Sequence, residues 1–459
     1  MNRLLILMVL SLTFTGVTSC KKFLDKKQNN AFVTPQTIED LQALLDDANE
    51  TMNIGTTPSF GEASADDIFV PEATLRTLSG PTPFVYRWQA YNFLFPNDWS
   101  VAYTPVYNTN YCLEQLLKIE KNEANTRQWN NVYGSALFYR SYYFLMLSWI
   151  YSKAYDRTTA SQDKGIVIRL SSDFNVRSQR ATTEETFQQI LTDTKMAITH
   201  LPELPQHVFR PSKVAAFALL ARTYLSMREY DSAYHYSNLA LNIQNSLMDY
   251  NGDPEVGNLT ATNLFKRFNK ETIFYSEMGT GGVYALVAPA RSRADTLLYK
   301  SYATNDLRRT AYFYLSGGYQ RFKGSYAQST IPFTGLATDE MYLVRAETAA
   351  RLGTAGLAQA NADLNKLMSY RYAKASFVPV QLNDPELLLN HILEERRKEL
   401  VYRGIRFSDI KRLNKEGRNI VQRRLAGGEL FELLPNANYY ALPIPEDVIE
   451  QTGIEQNEP

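Results

Sequence analysis

The densest group of charged residues lies near the C-terminus, where acids and bases share one short run. The run comprises Glu394, Glu395, Arg396, Arg397, Lys398 and Glu399. Glycoside hydrolysis needs two carboxyl groups that face each other across a cleft, and neighbouring positions on one helix do not give that geometry. Helical spacing instead favours ion pairs from Glu394 to Lys398 and from Arg396 to Glu399. We therefore interpret the run as an ion-pair network that joins the last helices.

The histidines and serines lack the surroundings that catalysis or metal binding requires. The histidines are His200, His207, His235 and His391, and they share no ligand spacing. Ser64, Ser135 and Ser316 lack a Gly-x-Ser-x-Gly setting, and no glycine-rich phosphate loop follows a strand. The sequence therefore predicts no catalytic residue, no metal and no cofactor, which indicates a protein that is not an enzyme.

Aromatic residues outside any helical period are the best candidates for ligand contact. The candidates are Trp88, Trp99, Tyr86, Tyr91, Tyr302 and Tyr314. Flat rings stack on sugar rings, and amides such as Asn92 and Asn97 can bond sugar hydroxyls. We expect the segments 81–99 and 299–319 to meet in one shallow aromatic platform. The two tryptophans could equally serve as plugs that fix the loop onto the core.

The N-terminus has the pattern of an exported, lipid-modified protein. Arg3 precedes an apolar run from Leu4 to Leu10 that is shorter than the roughly 20 residues of a membrane span. The run ends before Ser19 and Cys20, with small residues directly in front of the cysteine. We predict a signal peptide at residues 1–19, lipidation of Cys20, and a polar tether over residues 20–34 that anchors the protein to a membrane.

Composition limits the classes of partner and of fold. The chain has 459 residues, is 44% hydrophobic and has a formal net charge of zero, so a nucleic acid is not an expected partner. Once Cys20 is modified, Cys112 is the one thiol left, and no disulfide framework is available. Stability must come from a large hydrophobic core.

Helical periodicity dominates the remaining sequence. Thr37 to Ala48 predicts a short amphipathic helix, and Val106 to Ile119 and Asn131 to Ser152 predict two antiparallel helices. Thr182, with Glu185 three residues later, indicates a helix start. Proline, glycine and aromatic residues replace this periodicity over residues 53–100 and 258–335, which predicts two long irregular regions.

Small and aromatic residues at fixed spacing predict helical hairpins of the tetratricopeptide type. In the segment 212–241, Ala221 and Ala233 allow close helix approach while Phe217 and Tyr224 fill the groove. A looser repeat in the segment 342–364 keeps small residues at Ala346, Ala358 and Ala362. We place the tetratricopeptide-like units at roughly residues 104–245 and 338–413, within one binding domain over residues 35–459.

Four segments resemble the SusD/RagB family of outer-membrane nutrient-uptake lipoproteins, and together they extend over nearly the whole chain. They are Cys20 with Phe23, Leu24 and Asp25; Ala136 to Tyr155; Ser212 to Arg222; and the C-terminal set Ile392 to Leu400, Gly404, Arg406, Phe407, Asp409, Arg412 and Leu442 to Pro445. The last set is the most specific, because its motifs occur in family order. The resemblance implies a mostly α-helical, SusD-like fold of tetratricopeptide-like hairpins with long irregular loop insertions.

The resemblance also implies a function and a partner. A SusD-like protein binds nutrients, most often oligosaccharides, and delivers them to a TonB-dependent outer-membrane transporter of the SusC type. Peptide uptake of the RagB kind is an alternative, as is a periplasmic tetratricopeptide scaffold that binds other proteins. We expect a lipid anchor in the outer membrane with the domain exposed at the surface. Lys21 and Lys22 stand where many surface-exposed lipoproteins have acids, so a periplasmic orientation stays open.

Overall fold

A computed structural model describes residues 35–93 and 95–458 of the chain. Within that part, ten helices have eight residues or more. In chain order they are α1 (Ile38–Leu45), α2 (Asp98–Leu116), α3 (Thr126–Tyr151), α4 (Thr183–His200), α5 (Lys213–Met227), α6 (Tyr230–Ile243), α7 (Thr338–Arg351), α8 (Leu357–Arg371), α9 (Pro385–Glu399) and α10 (Arg406–Asn414). The predicted signal peptide, Cys20 and the tether lie outside the described residues.

The long helices form a chain of antiparallel neighbours. Each of α2 to α6 packs against the next helix in the chain. Helix α7 packs against both α8 and α9. The middle of this array is α3, whose residues from Gly134 to Tyr151 are all buried, so protein surrounds this part of the helix on every side. The prediction of a mostly helical fold built from hairpins is confirmed.

The start of α4 shows how local sequence sets an element boundary. The Thr182 hydroxyl accepts a hydrogen bond from the Glu185 backbone at 3.1 Å, and the Glu185 carboxylate accepts one from the Thr182 backbone at 2.8 Å. This reciprocal capping box satisfies two backbone N–H groups that the first helical turn leaves free. The helix start that the sequence predicts at Thr182 is confirmed.

Helices α5 and α6 form the hairpin that the small and aromatic residues predict. Ala221 and Ala233 are fully buried, which lets the two helices approach closely. Tyr224 stacks on Tyr236 with ring centroids 5.6 Å apart and an angle of 3° between the planes. Arg228, in the left-handed conformation at φ 64°, ends α5 and reverses the chain.

The second hairpin, α7 and α8, uses a different set of small residues from the predicted set. Ala346 is fully buried, as predicted, whereas Ala358 and Ala362 are exposed. Ala360, between them, is the fully buried alanine of α8. The predicted register of this repeat is therefore wrong, because a helix exposes and buries positions with a period of 3.6 residues.

Strands are short and occur in antiparallel pairs. Five pairs are present in the described part of the chain. They are β1 (Ile68–Phe69) with β5 (Arg293–Ala294), β2 (Lys164–Val167) with β3 (Arg180–Thr182), β4 (Thr272–Phe274) with β8 (Leu336–Ala337), β6 (Phe313–Ser316) with β7 (Tyr319–Phe322), and β9 (Gln422–Ala426) with β10 (Glu429–Leu433).

The charged run near the C-terminus forms a buried network. Arg396 on α9 bonds Asp409 on α10 at 2.8 Å, and Arg412 on α10 bonds Glu347 on α7 at 2.6 Å. The predicted partners are wrong in detail, since Lys398 pairs with Glu395, the residue next to Glu394, and Arg396 pairs with Asp409. The interpretation that ion pairs join the last helices is nevertheless confirmed. Removal of one partner from such a pair costs about 3 to 5 kcal/mol, because the other charge stays buried.

The two irregular regions cover one end of the helical array and contain several short helices. These are Phe60–Ser64, Glu72–Leu75, Thr82–Tyr86, Thr296–Ser301 and Arg308–Ala311, and a further one, Glu446–Thr452, lies near the C-terminus. In the described ranges 35–93 and 95–458, no helix combines the length and the apolar character that crossing a bilayer requires.

Candidate functional site

Four of the six aromatic residues predicted to contact ligand are core residues. Trp88, Trp99, Tyr86 and Tyr302 have exposed fractions of 8%, 5%, 1% and 2%. The Trp88 indole N–H donates to the Ser64 carbonyl at 3.0 Å, and the Tyr302 hydroxyl donates to the Lys398 carbonyl at 2.7 Å. The structure contradicts an exposed platform made of these rings, because their polar atoms and faces are already in contact with protein.

Trp99 and Tyr86 are likewise packed against other core residues. Trp99 was predicted to lie in an irregular region, but it lies in the first turn of α2. Its ring packs on Tyr103 and Tyr151 with centroids 4.9 Å away in both cases. The Tyr86 hydroxyl accepts a hydrogen bond from the Val70 backbone at 3.1 Å. The alternative interpretation of the two tryptophans, as plugs that fix the loop onto the core, agrees with this geometry.

Tyr91 and Tyr314 keep part of their surface exposed. Tyr91 packs on Phe84 with ring centroids 4.9 Å apart, and Phe84 is 38% exposed. Tyr314 lies on β6, opposite Arg321 of β7, and does not line the same cavity as Tyr91. Among the six candidates, Tyr91 is therefore the residue that the structure places beside an open cavity.

That cavity, here called the aromatic cleft, has a volume of about 250 Å³. Its lining consists of Phe60, Pro81, Tyr91, Asn92, Phe93, Pro96, Asn97, Asp98, Gly282 and Val283. The 73%-exposed ring of Phe95 belongs to the same loop. The two irregular regions do meet here, as expected, but the second contributes Gly282 and Val283 in place of residues 299–319.

Asn97 gives the aromatic cleft a polar group that the protein itself does not use. Its side-chain oxygen caps α2 by accepting a hydrogen bond from the Ser100 backbone at 2.9 Å. Its Nδ2 is buried and has no hydrogen-bond partner among the described residues. A buried donor without an acceptor is costly, which makes Asn97 the polar residue of the cleft with an unmet hydrogen bond.

Asp98 joins two of the segments that line the cleft. Its carboxylate accepts hydrogen bonds from the backbone N–H groups of Ser59 and Phe60 at 2.6 and 2.8 Å. Burial raises the pKa of Asp98 to about 6, although these bonds favour the charged form. The residue thus ties the start of the short helix Phe60–Ser64 to the start of α2.

Arg424 joins the segments around residues 63–65 and 86–88 from a distant part of the sequence, and sequence reasoning did not identify it. Its guanidinium lies between the rings of Tyr86 and Trp88, 4.6 and 4.7 Å from their centroids. It donates to the carbonyls of Ala63 and Ala65 at 2.7 Å and to that of Tyr86 at 3.0 Å. Burial lowers the pKa of Arg424 to about 10, which leaves it charged at neutral pH.

A group of buried carboxylates lies elsewhere in the core, at Glu271, Asp339 and Glu399. Their oxygens come close enough to suggest a metal site. Arginine side chains already occupy those oxygens, since Arg371 bonds Glu271 at 2.9 Å and Glu399 at 2.7 Å, and Arg403 bonds Asp339 at 3.2 Å. The group therefore belongs to the structural ion-pair network.

The structure is an array of helical hairpins with a cleft lined by loops. Comparison with known proteins identifies the family that has this fold. A family model described as "Starch-binding associating with outer membrane" matches residues 22–225, and one described as "SusD family" matches residues 296–458. No curated protein matches the sequence significantly. The chain belongs to the SusD/RagB family.

Solved structures show the same fold at low sequence identity. A SusD superfamily protein from Bacteroides thetaiotaomicron has a TM-score of 0.74 and 21% identity over 92% of this chain and 100% of its own. A SusD-like carbohydrate binding protein from Bacteroides vulgatus has a TM-score of 0.66 and 18% identity over 91% and 96%. A laminarin binding SusD-like protein has a TM-score of 0.62 and 18% identity over 91% and 97%.

Proposed function

We propose that the protein is a non-catalytic lipoprotein of the outer membrane that binds oligosaccharides in the aromatic cleft. The observation that carries the proposal is the cleft itself, where a half-exposed tyrosine and the free amide donor of Asn97 face one cavity. The matching family and two of the similar structures support it, because they are described as starch-binding, carbohydrate-binding and laminarin-binding.

The chemistry of the cleft suits a sugar. The ring of Tyr91 can stack on the apolar face of a pyranose, and Asn97 Nδ2 can donate to a hydroxyl. Stacked rings contribute about 0.5 to 1.5 kcal/mol each beyond buried area, while association costs several kcal/mol. We therefore expect weak to moderate binding, in the micromolar to millimolar range.

Delivery to a transporter completes the proposed role. A lipid on Cys20 and a tether over residues 20–34 would hold the binding domain beside a TonB-dependent transporter of the SusC type. The likeness to a family described as associating with the outer membrane supports this location. In this arrangement the protein captures the oligosaccharide and the transporter moves it across the membrane.

The test is calorimetric titration of the purified protein with maltooligosaccharides and laminarioligosaccharides. Tyr91→Ala should weaken binding about tenfold, since it removes the stacking face. Asn97→Ser should weaken it about threefold to tenfold, because serine still caps α2 but lacks the amide donor. Tyr370→Ala, which removes a half-buried tyrosine on α8, is the matched control and should bind as the parent does.

Equal affinities of the parent and both cleft variants for a bound glycan would place the binding site elsewhere. Circular dichroism and melting curves of each variant separate lost binding from lost folding. Binding of casein-derived peptides with no response to any glycan would favour the peptide-uptake alternative.

A further inference from the structure

A second and larger cavity lies between the β2–β3 ribbon, the loop over residues 168–179 and helix α4. Its volume is about 630 Å³, and it shares no lining residue with the aromatic cleft. Its polar lining includes three arginines and three glutamines, which are Arg169, Arg177, Arg180, Gln179, Gln188 and Gln189. Nothing in the proposed function uses this cavity.

The arginines of this cavity have no carboxylate partners in the described part of the chain. Arg169 donates to the carbonyls of Val176 and Asp173, and Arg180 donates to the carbonyl of Gly165 at 2.7 Å. The Arg177 side chain is exposed and makes no hydrogen bond or ion pair with any described residue. Within the described ranges, three arginines without a carboxylate partner therefore line one cavity, and Arg177 among them has an unoccupied guanidinium.

The acids near the cavity are already engaged. Glu185, the acid that lines it, bonds the backbone of Thr182 in the capping box of α4. Glu455, which lies nearby, pairs with Lys164 at 3.3 Å. Burial lowers the pKa of Arg180 to about 10, so its guanidinium stays charged at neutral pH. The cavity therefore carries an excess of positive charge.

The neutral lining groups indicate a ligand with hydroxyls as well as charge. The amide nitrogens of Gln188 and Gln189 donate to Glu184 and Asp193, which leaves their amide oxygens as acceptors facing the cavity region. Gln179 is exposed and its amide has no partner among the described residues. Half-exposed Leu170 and Val176 add apolar surface. A bare inorganic ion would use neither the amides nor the apolar side chains.

We propose that this cavity binds an acidic oligosaccharide, one that bears carboxylate or sulfate groups. Guanidinium groups bind both anions with paired, charge-assisted hydrogen bonds, and Arg177 is free to do so without losing an existing contact. Glutamine amides bind hydroxyls, and Leu170 and Val176 cover the apolar edge of a sugar ring. The site is independent of the aromatic cleft and would operate whether or not the cleft binds neutral glycans.

Calorimetry of the full chain, purified in detergent, tests this proposal with three probes. They are trigalacturonate, a chondroitin sulfate disaccharide and neutral maltotriose. At least one acidic probe should bind, Arg177→Gln should weaken it about tenfold, and higher ionic strength should weaken it further. Arg127→Gln, which removes another exposed arginine without a partner, is the control and should leave the affinity unchanged. The stronger of the two acidic probes identifies the anion.

Two results would overturn the proposal. One is the absence of binding to both acidic probes at millimolar concentration, and the other is equal affinity of the parent and Arg177→Gln. Tyr91→Ala distinguishes the two sites, because it should weaken binding of neutral glycans while acidic probes bind as before. If the cleft does not bind neutral glycans, the experiment with acidic probes can still be interpreted. The reverse also holds.

Discussion

Asp98 joins two elements of the aromatic cleft through its carboxyl group. Burial disfavours the charged form of that group. Its two backbone hydrogen bonds organise the start of the short helix Phe60–Ser64, while its own position begins α2. A pKa of about 6 means that the folded protein retains this proton at a pH where the unfolded chain has lost it. The stability of the fold should therefore depend on this one group in mildly acidic solution.

Asp98→Asn should flatten that dependence. The raised pKa of Asp98 gives stability that is fully present below about pH 4 and lost as pH rises to about 6. An asparagine oxygen accepts the same hydrogen bonds without a charge to desolvate. Between pH 4 and pH 7, the free energy of unfolding of the variant should rise by on the order of 2 to 3 kcal/mol relative to that of the parent.

Urea unfolding at a series of pH values measures this difference. Asp231→Asn changes an exposed aspartate in the first turn of α6, and its profile should run parallel to that of the parent. Parallel profiles for Asp98→Asn as well would show that the buried carboxyl does not titrate in this range.

The aromatic residues show what could and could not be predicted at the residue scale. Sequence position included Tyr91 among the candidates, but the segment 299–319, which was expected to meet 81–99, does not line the cleft. It could not separate Tyr91 from Trp88, because an irregular segment has no period that tells an inward ring from an outward one. The partner that buries Trp88 is Arg424, 336 positions later in the chain, and no local pattern signals such a contact.

Helices were predictable at the element scale because their signals are local. Apolar periodicity located α2, α3 and α4, and the Thr182 and Glu185 pair marked a boundary to the residue. The repeat in α7 and α8 was predicted with the wrong register, since alanines at 358, 360 and 362 offer several positions of equal size. None of the short strand pairs was predicted, because strands of two to five residues hardly show an alternating pattern.

Ala221→Trp or Ala233→Trp should destabilise the α5–α6 hairpin. Both alanines are fully buried where the helices approach, so a large ring must displace its neighbours. We expect a loss of about 1 to 3 kcal/mol or more in the free energy of unfolding, seen as a lower melting temperature.

The matched control is Ala358→Trp on α8, which places the same ring at an exposed helical position. It should melt within a degree or two of the parent, as surface substitutions usually do. If both core variants melted like the control, the contact between α5 and α6 would have to be looser than the structure shows.

At the scale of the whole molecule, family and fold were predictable while the binding surface was not. The C-terminal motifs that carried the resemblance are structural, because Arg396, Asp409 and Arg412 belong to the buried ion-pair network. Ion pairs between helices carry no information on a ligand. The aromatic cleft is lined mostly by loop residues, which have no periodic pattern that would locate it from sequence.

We expect the location of the molecule to depend on its N-terminal segment. Cys20→Ala should release the protein from the membrane fraction, because one cysteine carries the predicted lipids. Cys112→Ala is the control, since Cys112 is buried beside Leu41 and should not affect anchoring. Fractionation followed by immunoblotting measures both. Undiminished membrane retention of Cys20→Ala would refute the predicted lipidation site.

The contacts of Arg424 with the segment 63–88 also affect the order in which the molecule is completed. Proteins are synthesised from the N-terminus, so residues 63–88 leave the ribosome long before residue 424 does. Until the β9–β10 hairpin arrives, the carbonyls of Ala63, Ala65 and Tyr86 lack the cation that joins them. This part of the fold is therefore completed last, and a prematurely terminated chain would lack it.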